Sequence, residues 1–133
     1  MSVRPGKRAE QRAVWWYRLR GYRILATNAW VAGYELDIIV RRGRRLIFCE
    51  VKEKLGERFG DPLEMVDDEK QRRLRLAADA WLARHPEAGS LRVSFDVMAV
   101  RSGRLDRVPE AFCLCFCPSR RAPSFAEKLA LGF

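Results

Sequence analysis

The sequence predicts an α/β domain, and three observations carry that reading. Stretches of helical periodicity near residues 6–20 and 68–84 alternate with apolar, branched runs in the order helix, three strands, helix, two strands. The 133 residues make one ordinary domain, long enough to bury a sizeable core. A hydrophobic content of 48%, with four Trp and seven Phe, argues for a globular chain over a disordered one.

Residues 1–5 are expected to be a loose tail, and the first helix to end at Gly21, a good C′ residue. Ala13, Val14 and Tyr17 follow Glu10 at helical spacing, which places Glu10 on the inward stripe rather than the solvated face. A first-turn glutamate favoured by the helix dipole is the simpler alternative. Arg8, Arg12, Arg18 and Arg20 give the segment a basic surface. Tyr22 to Asn28 reads as the first strand, and Asn28 to Gly33 as a turn containing Trp30, which is read as buried packing before base stacking.

Tyr34 to Lys52 reads as a β-hairpin joined by a short basic loop, Arg41, Arg42, Gly43, Arg44 and Arg45. Alternation puts Leu36, Ile38 and Val40 on one face and Glu35, Asp37 and Ile39 on the other. In the second strand Ile47, Cys49 and Val51 point one way, and Leu46, Phe48, Glu50 and Lys52 the other. Ionised groups on otherwise apolar strands need partners, because burying a charge alone is costly. Asp37 and Glu50 brought side by side would suit a hard cation such as Mg²⁺ or Mn²⁺. Lys52, co-facial with Glu50, would supply a positive charge beside an attacking water. An internal salt-bridge cluster of Asp37 and Glu50 with Lys52 or nearby arginines is the competing reading, and alternation does not separate the two.

Glu53 to Val66, with Gly56, Gly60 and Pro62, reads as a substrate-contacting loop beside this constellation. Asp67 is a good N-cap for a helix from about Asp68 to Arg84, with Leu74, Ala77, Ala78 and Trp81 as its core stripe. Lys70 lies one turn before Leu74 on that stripe and could reach a phosphate near the hairpin. Arg72, Arg73 and Arg75 flank it, and with Arg41, Arg42 and Arg44 they are the candidate contacts to a nucleic-acid backbone. Leu91 to Val100 alternates as a strand, in which Asp96 reads as a structural salt bridge. Phe112 to Cys117 is the expected last strand, with Cys113, Cys115 and Cys117 on one face. Those thiols lack paired Cys-x-x-Cys knuckles and His85 is the sole histidine, so buried packing is preferred to zinc. The tail, residues 118–133, ends in an apolar helical stretch.

The net charge of +9 and a pI near 10.0 point to a polyanionic partner, with nucleic acid ahead of an anionic membrane surface. No stretch approaches the roughly 20 apolar residues of a membrane span. Residues 1–8 lack the apolar core of a signal peptide, so a cytoplasmic location with free thiols is expected. A Gly-rich phosphate loop and a Ser-His-Asp set are both absent from the sequence, and one histidine argues against a His-based nuclease.

Asp37 followed by Glu50-Val51-Lys52 resembles the PD-(D/E)xK nuclease signature. The wider pattern resembles the YraN-type family of bacterial predicted endonucleases, relatives of the archaeal Holliday junction resolvases. The matching residues are Glu10 with Ala13, Gly21-Tyr22, Ile24-Leu25, Asn28, Glu35 to Ile39, Phe48 and Glu50-Val51-Lys52. Phe59-Gly60, Lys70 with Arg72-Arg73, Phe95-Asp96-Val97 and Ala111-Phe112 extend the match over about residues 6–117. Leu36 replaces the proline of the superfamily's name. Tyr34 stands where glycine is usual, and Glu53-Lys54 where Thr-Arg or Ser-Arg is typical.

The resemblance implies a restriction-endonuclease-like fold, a mixed central β-sheet flanked by helices, in a single nuclease-like domain. It further implies a Mg²⁺-dependent (or Mn²⁺-dependent) DNA endonuclease, with Asp37, Glu50 and the Val51 carbonyl as metal ligands. Lys52 would orient or activate the attacking water, Glu10 would support the metal or its water, and Glu35 would stand outside them. The resolvase relatives act on branched DNA as dimers, which implies a homodimer here. A basic nucleic-acid-binding accessory of DNA repair or uptake that keeps the fold but does not cut is the second reading. A membrane-surface or protein-interaction domain ranks last, because it leaves Asp37, Glu50 and Lys52 unexplained.

Overall fold

The computed structural model describes residues 5–54, 66–101 and 104–112. The order is α1 (Pro5–Leu19), β1 (Arg23–Val31), β2 (Tyr34–Arg42), β3 (Arg45–Lys54), α2 (Asp68–Arg84), a 3₁₀ turn (Pro86–Ala88), β4 (Arg92–Arg101) and β5 (Arg104–Phe112). The strands form one five-stranded sheet in the order β1-β2-β3-β4-β5. Only β3 and β4 run parallel; the other neighbours are antiparallel. This is the mixed α/β arrangement of the restriction-endonuclease-like class. The parallel pair follows from connectivity, because β3 returns to β4 through α2, and a parallel neighbour needs such a crossover.

Each face of the sheet is covered by one helix. α1 lays Ala9, Ala13 and Tyr17, spaced four apart, over Ile38, Val40, Ile47, Cys49, Val51, Met98 and Val100. α2 lays Leu74, Ala77, Ala78 and Trp81 over Leu36, Ile39, Leu46, Phe48, Phe95, Val97 and Phe112. Alanines at both contacts let the helices sit close to the strands. Buried on both sides, β3 is continuously inaccessible from Leu46 to Val51, as expected of a central strand with a parallel neighbour.

The helix ends follow their local chemistry. Gly21 takes φ +84, its N–H bonds to the Arg18 carbonyl, and the Tyr22 N–H reaches the Tyr17 carbonyl. That is a Schellman cap, and its accompanying apolar contact is the edge-on packing of Tyr17 and Tyr22 with ring centroids 5.1 Å apart. At the start of α2 the Asp67 side chain accepts the Lys70 N–H at 2.8 Å, the N-cap the sequence predicts.

Four expectations need correction. β1 continues to Val31, and the turn shrinks to Ala32-Gly33, both at positive φ, which makes a two-residue type I′ hairpin. The basic loop shrinks in the same way, to Gly43 and Arg44 between the paired Arg42 and Arg45. Leu36 does not share a face with Ile38 and Val40: it packs under α2, they pack under α1, and the alternation breaks at Asp37. Finally, Arg104–Phe112 is an unexpected strand; of the expected strand Phe112 to Cys117, residues 113–117 lie outside the described residues. Pro109 and four charged residues hid it, but β5 is an edge strand whose ladder bulges near Pro109, where a missing N–H is tolerated. The expected loop at 55–65, Cys113, Cys115, Cys117 and the tail at 118–133 lie outside the described residues.

Asp96 is the structural ion pair that the sequence suggested. Only 1% exposed, it accepts the Tyr17 hydroxyl at 2.7 Å, the Arg107 guanidinium at 2.9 and 2.8 Å, and the Glu110 N–H at 3.0 Å. Four donors on one carboxylate tie α1 to the β4–β5 bulge. Burial, and after it the nearby Cys49 and Asp96, keeps the Tyr17 hydroxyl protonated far above its usual range.

Candidate active site

Strands β2 and β3 pair from Arg42↔Arg45 to Ile38↔Cys49. Beyond Cys49, β3 continues beside β4 as far as Lys54↔Arg101, while β2 continues beside β1 to Tyr34. The side chain of Asp37 occupies this fork and accepts the Val51 N–H at 2.9 Å. A carboxylate thus takes the place of the ladder partner. This places Asp37 where elements from both faces of the sheet converge.

From the α1 side come Glu10 and Glu35. Each offers an oxygen that, with one from Asp37, forms a group whose atoms all lie within 4.8 Å of one another. Asn28 holds two of them: its Nδ2 donates to Glu10 Oε2 at 2.8 Å and to Glu35 Oε1 at 2.7 Å. Asn28 has φ +50, a conformation asparagine tolerates better than most residues. Among the described residues no Lys or Arg pairs with Glu10, Glu35 or Asp37.

From the α2 side comes a cationic group. Glu50, 6% exposed, holds the Lys70 ammonium at 2.6 Å and the Lys52 ammonium at 3.6 Å. Both groups face one cleft of about 400 Å³, lined also by Val51, Tyr34 and Arg73.

The electrostatics follow from this crowding. Burial, and then the neighbouring Glu50 carboxylate, push the Asp37 carboxyl up to about 8, with the Val51 N–H opposing. Lys52 is pulled down by burial and by the adjacent Lys70. Burial pulls most strongly on Lys70, but its hydrogen bonds to Glu50 and Lys52 and the charges of Glu50 and Asp37 together outweigh this and raise it. The three convergent oxygens have no ion-pair partner among the described residues, and burial and the neighbouring Glu50 hold Asp37 at high pKa, so the group would suit a hard, oxygen-preferring cation such as Mg²⁺ or Mn²⁺ that displaces the proton.

The structure gathers Asp37, Glu50, Val51, Lys52, Glu10, Glu35, Lys70 and Arg73 around the cleft. Asp37 and Glu50 come side by side, as the sequence pairing expects, and each gains further neighbours. Glu50 is held by two lysines, and Glu35 stands beside Asp37 with Glu10 rather than outside the cluster. Arg72 is exposed, and Arg75 lies against Gln71 and over the Phe112 ring. Arg41, Arg42 and Arg44 lie at the far end of the hairpin, Arg41 about 13 Å and Arg42 about 16 Å along the strand from Asp37 by the usual rise per residue. Arg41 donates to the Gly43 carbonyl, and Arg42 donates to the Arg20 carbonyl and stacks on Tyr22. Asn28 stands among the residues that carry the family resemblance but had no site role in the sequence reading; a polar residue within an apolar strand, one hairpin before Glu35, was the further signal. Tyr34 is half-buried at the cleft wall, and Glu53 is exposed and opposite Val100 in the β3–β4 ladder.

Residues 9–100 match the model of a family described as Uncharacterised protein family UPF0102. A UPF0102 protein of Rhizobium etli is 39% identical over 112 residues, 84% of this chain and 90% of its own. A UPF0102 protein of Mycolicibacterium vanbaalenii is 44% identical over 106 residues, 79% of this chain and 85% of its own. One from Bartonella bacilliformis is 38% identical over 104 residues, covering 78% and 84%.

Proposed function

The chain belongs to the uncharacterised protein family UPF0102, the YraN-type family, and we propose from the geometry of its cleft that it is a metal-dependent DNA endonuclease of the cytoplasm. One observation carries the proposal: three convergent carboxylates without an ion-pair partner among the described residues and two lysine ammoniums face the same cleft. An anionic cluster alone would repel DNA, and a cationic one alone would bind it without chemistry.

Asp37, Glu10 and Glu35 would hold Mg²⁺ or Mn²⁺. Bound there, the ion would polarise a phosphodiester and acidify a water. Glu50 positions both ammoniums. Lys70, with its raised affinity for the proton, stays charged and would meet a phosphate oxygen. Lys52, more easily deprotonated, is suited to orient the attacking water and to take its proton. Hydrolysis would join the water oxygen to phosphorus as the bond to one sugar oxygen breaks, and that oxygen takes up a proton. The charge of +9 supplies the general attraction to DNA.

Cleavage of labelled four-way junction, flap, duplex and single-stranded DNA with Mg²⁺ or Mn²⁺ tests the proposal. Cutting that is lost with chelator, in Asp37→Asn and in Lys52→Met is expected, with branched DNA the first substrate to try. Salt-dependent binding without cutting in any metal would instead identify a non-catalytic accessory.

A further inference from the structure

We infer that Trp30 is a stacking platform for an unpaired nucleobase at the rim of the acidic cleft, so that the favoured substrate presents a single-stranded or splayed nucleotide beside the bond to be cut. The inference rests on the reading of the cleft as a DNA site and narrows its substrate class.

Trp30 is 68% exposed on the edge strand β1. Trp15, Trp16 and Trp81 each contact another ring or an arginine; among the described residues Trp30 contacts neither. Most tryptophans are largely buried, so an indole as exposed as this one is unusual. Its place on the sheet gives the exposure a use. In the β1–β2 ladder Trp30 stands directly opposite Glu35, and cross-strand partners share a face. Its neighbours Ala29 and Val31 pack on the α2 side, which leaves Trp30 on the α1 side with Glu35 and Glu10.

That face is otherwise charged. α1 covers the part of it beneath Ala9 and Ala13, and the charged groups nearest Trp30 are Glu35, directly opposite it, and Glu10 beside Glu35. An exposed aromatic face on a basic protein is a recurring means of holding single strands without sequence preference: the net charge of +9 attracts the backbone and the ring takes a base. A base within a closed duplex is already stacked on both sides and has no free face for Trp30. A second copy of the chain on this face of the β1 edge would have to bury Glu35, at a cost in desolvation.

Binding measured in chelator separates this from the question of cleavage. Anisotropy of labelled oligo(dT) and of a blunt duplex of equal length would be followed for wild type, Trp30→Ala and Trp30→Phe, with cleavage assayed in parallel. Trp30→Ala is expected to weaken oligo(dT) binding roughly tenfold, with Trp30→Phe close to wild type and duplex binding unchanged. Equal binding by wild type and Trp30→Ala, equal loss on both DNAs, equal loss in both variants, or no binding of oligo(dT) by wild type would each overturn it. So would a concentration-dependent change of oligomeric state in Trp30→Ala. Trp30-dependent binding with no cutting in any metal would refute the nuclease reading and leave the stacking platform standing.

Discussion

The Asp37 carboxylate accepts the backbone N–H of Val51 at 2.9 Å, at the point where β2 and β3 part. Asp96 does something similar at the β4–β5 bulge, where it accepts the Glu110 N–H at 3.0 Å. The remaining surroundings decide what each aspartate can do. Asp96 also has the Arg107 guanidinium and the Tyr17 hydroxyl, so its charge is matched and closed off. Asp37 has Glu10, Glu35 and Glu50 for neighbours, and an open cleft.

The pH dependence of Asp37 has a definite sign. Its folded pKa, about 8, lies above the ordinary 3.8, so the folded state binds the proton more tightly than the unfolded chain. The stability this proton contributes is present below pH 4 and is lost as the pH rises through 8. A cation competes for the same oxygen, so Mn²⁺ affinity measured calorimetrically should rise between pH 6 and 8, by up to about tenfold per unit, then level off. Asp37→Asn should bind weakly and show a flatter profile. A wild-type affinity independent of pH would contradict this.

Asn28→Gly isolates the bridging amide, because glycine accepts the positive φ of this position. Losing two hydrogen bonds to carboxylates frees Glu10 and Glu35 to separate. Cation affinity should fall roughly tenfold, about 1.4 kcal/mol, while the melting temperature changes by only a few degrees. Unchanged affinity would show that the carboxylates converge without help.

Lys70→Met leaves the buried Glu50 with only the more distant Lys52. After allowance for partial exposure of the lysine, a loss of about 1–2 kcal/mol in urea unfolding is expected. Arg72→Met, on the solvated face of α2, should stay within about 0.5 kcal/mol. Equal effects would mean that the Lys70 bridge contributes no more than a surface charge.

Arg107→Met strips the matching charge from a carboxylate that is 1% exposed. The expected loss is about 3–4 kcal/mol, seen as a lower denaturation midpoint. Tyr17→Phe, which removes one of several donors to Asp96, should cost about 1 kcal/mol. Reversal of that order would place the hydroxyl, not the guanidinium, at the centre of the network.

Periodicity and capping chemistry sufficed for both helices, the hairpin and the order of elements as far as β4, because these depend on residues close in the chain. Gly21 ends α1 and Asp67 begins α2 through bonds spanning at most five residues. The same locality made Glu50 and Lys52 legible as co-facial. β5 escaped because its apolar residues are sparse and Pro109 is tolerated only at an edge, a property set by which strands pair. The break at Asp37 escaped because alternation assumes an uninterrupted ladder, whereas β2 leaves β3 there to continue with β1.

The sequence by itself determined which residue types were available for chemistry, Asp37, Glu50, Lys52, Glu10 and Lys70 among them, and the α/β class that would carry them. Only the tertiary structure decided the groupings: Glu10 and Glu35 with Asp37 through Asn28, and Glu50 with Lys70 and Lys52. The physical reason is range. A cap is stabilised within a few residues, but a carboxylate's charge is set by whatever the fold brings within a few ångströms, here from three neighbouring strands and from two helices on opposite faces of the sheet.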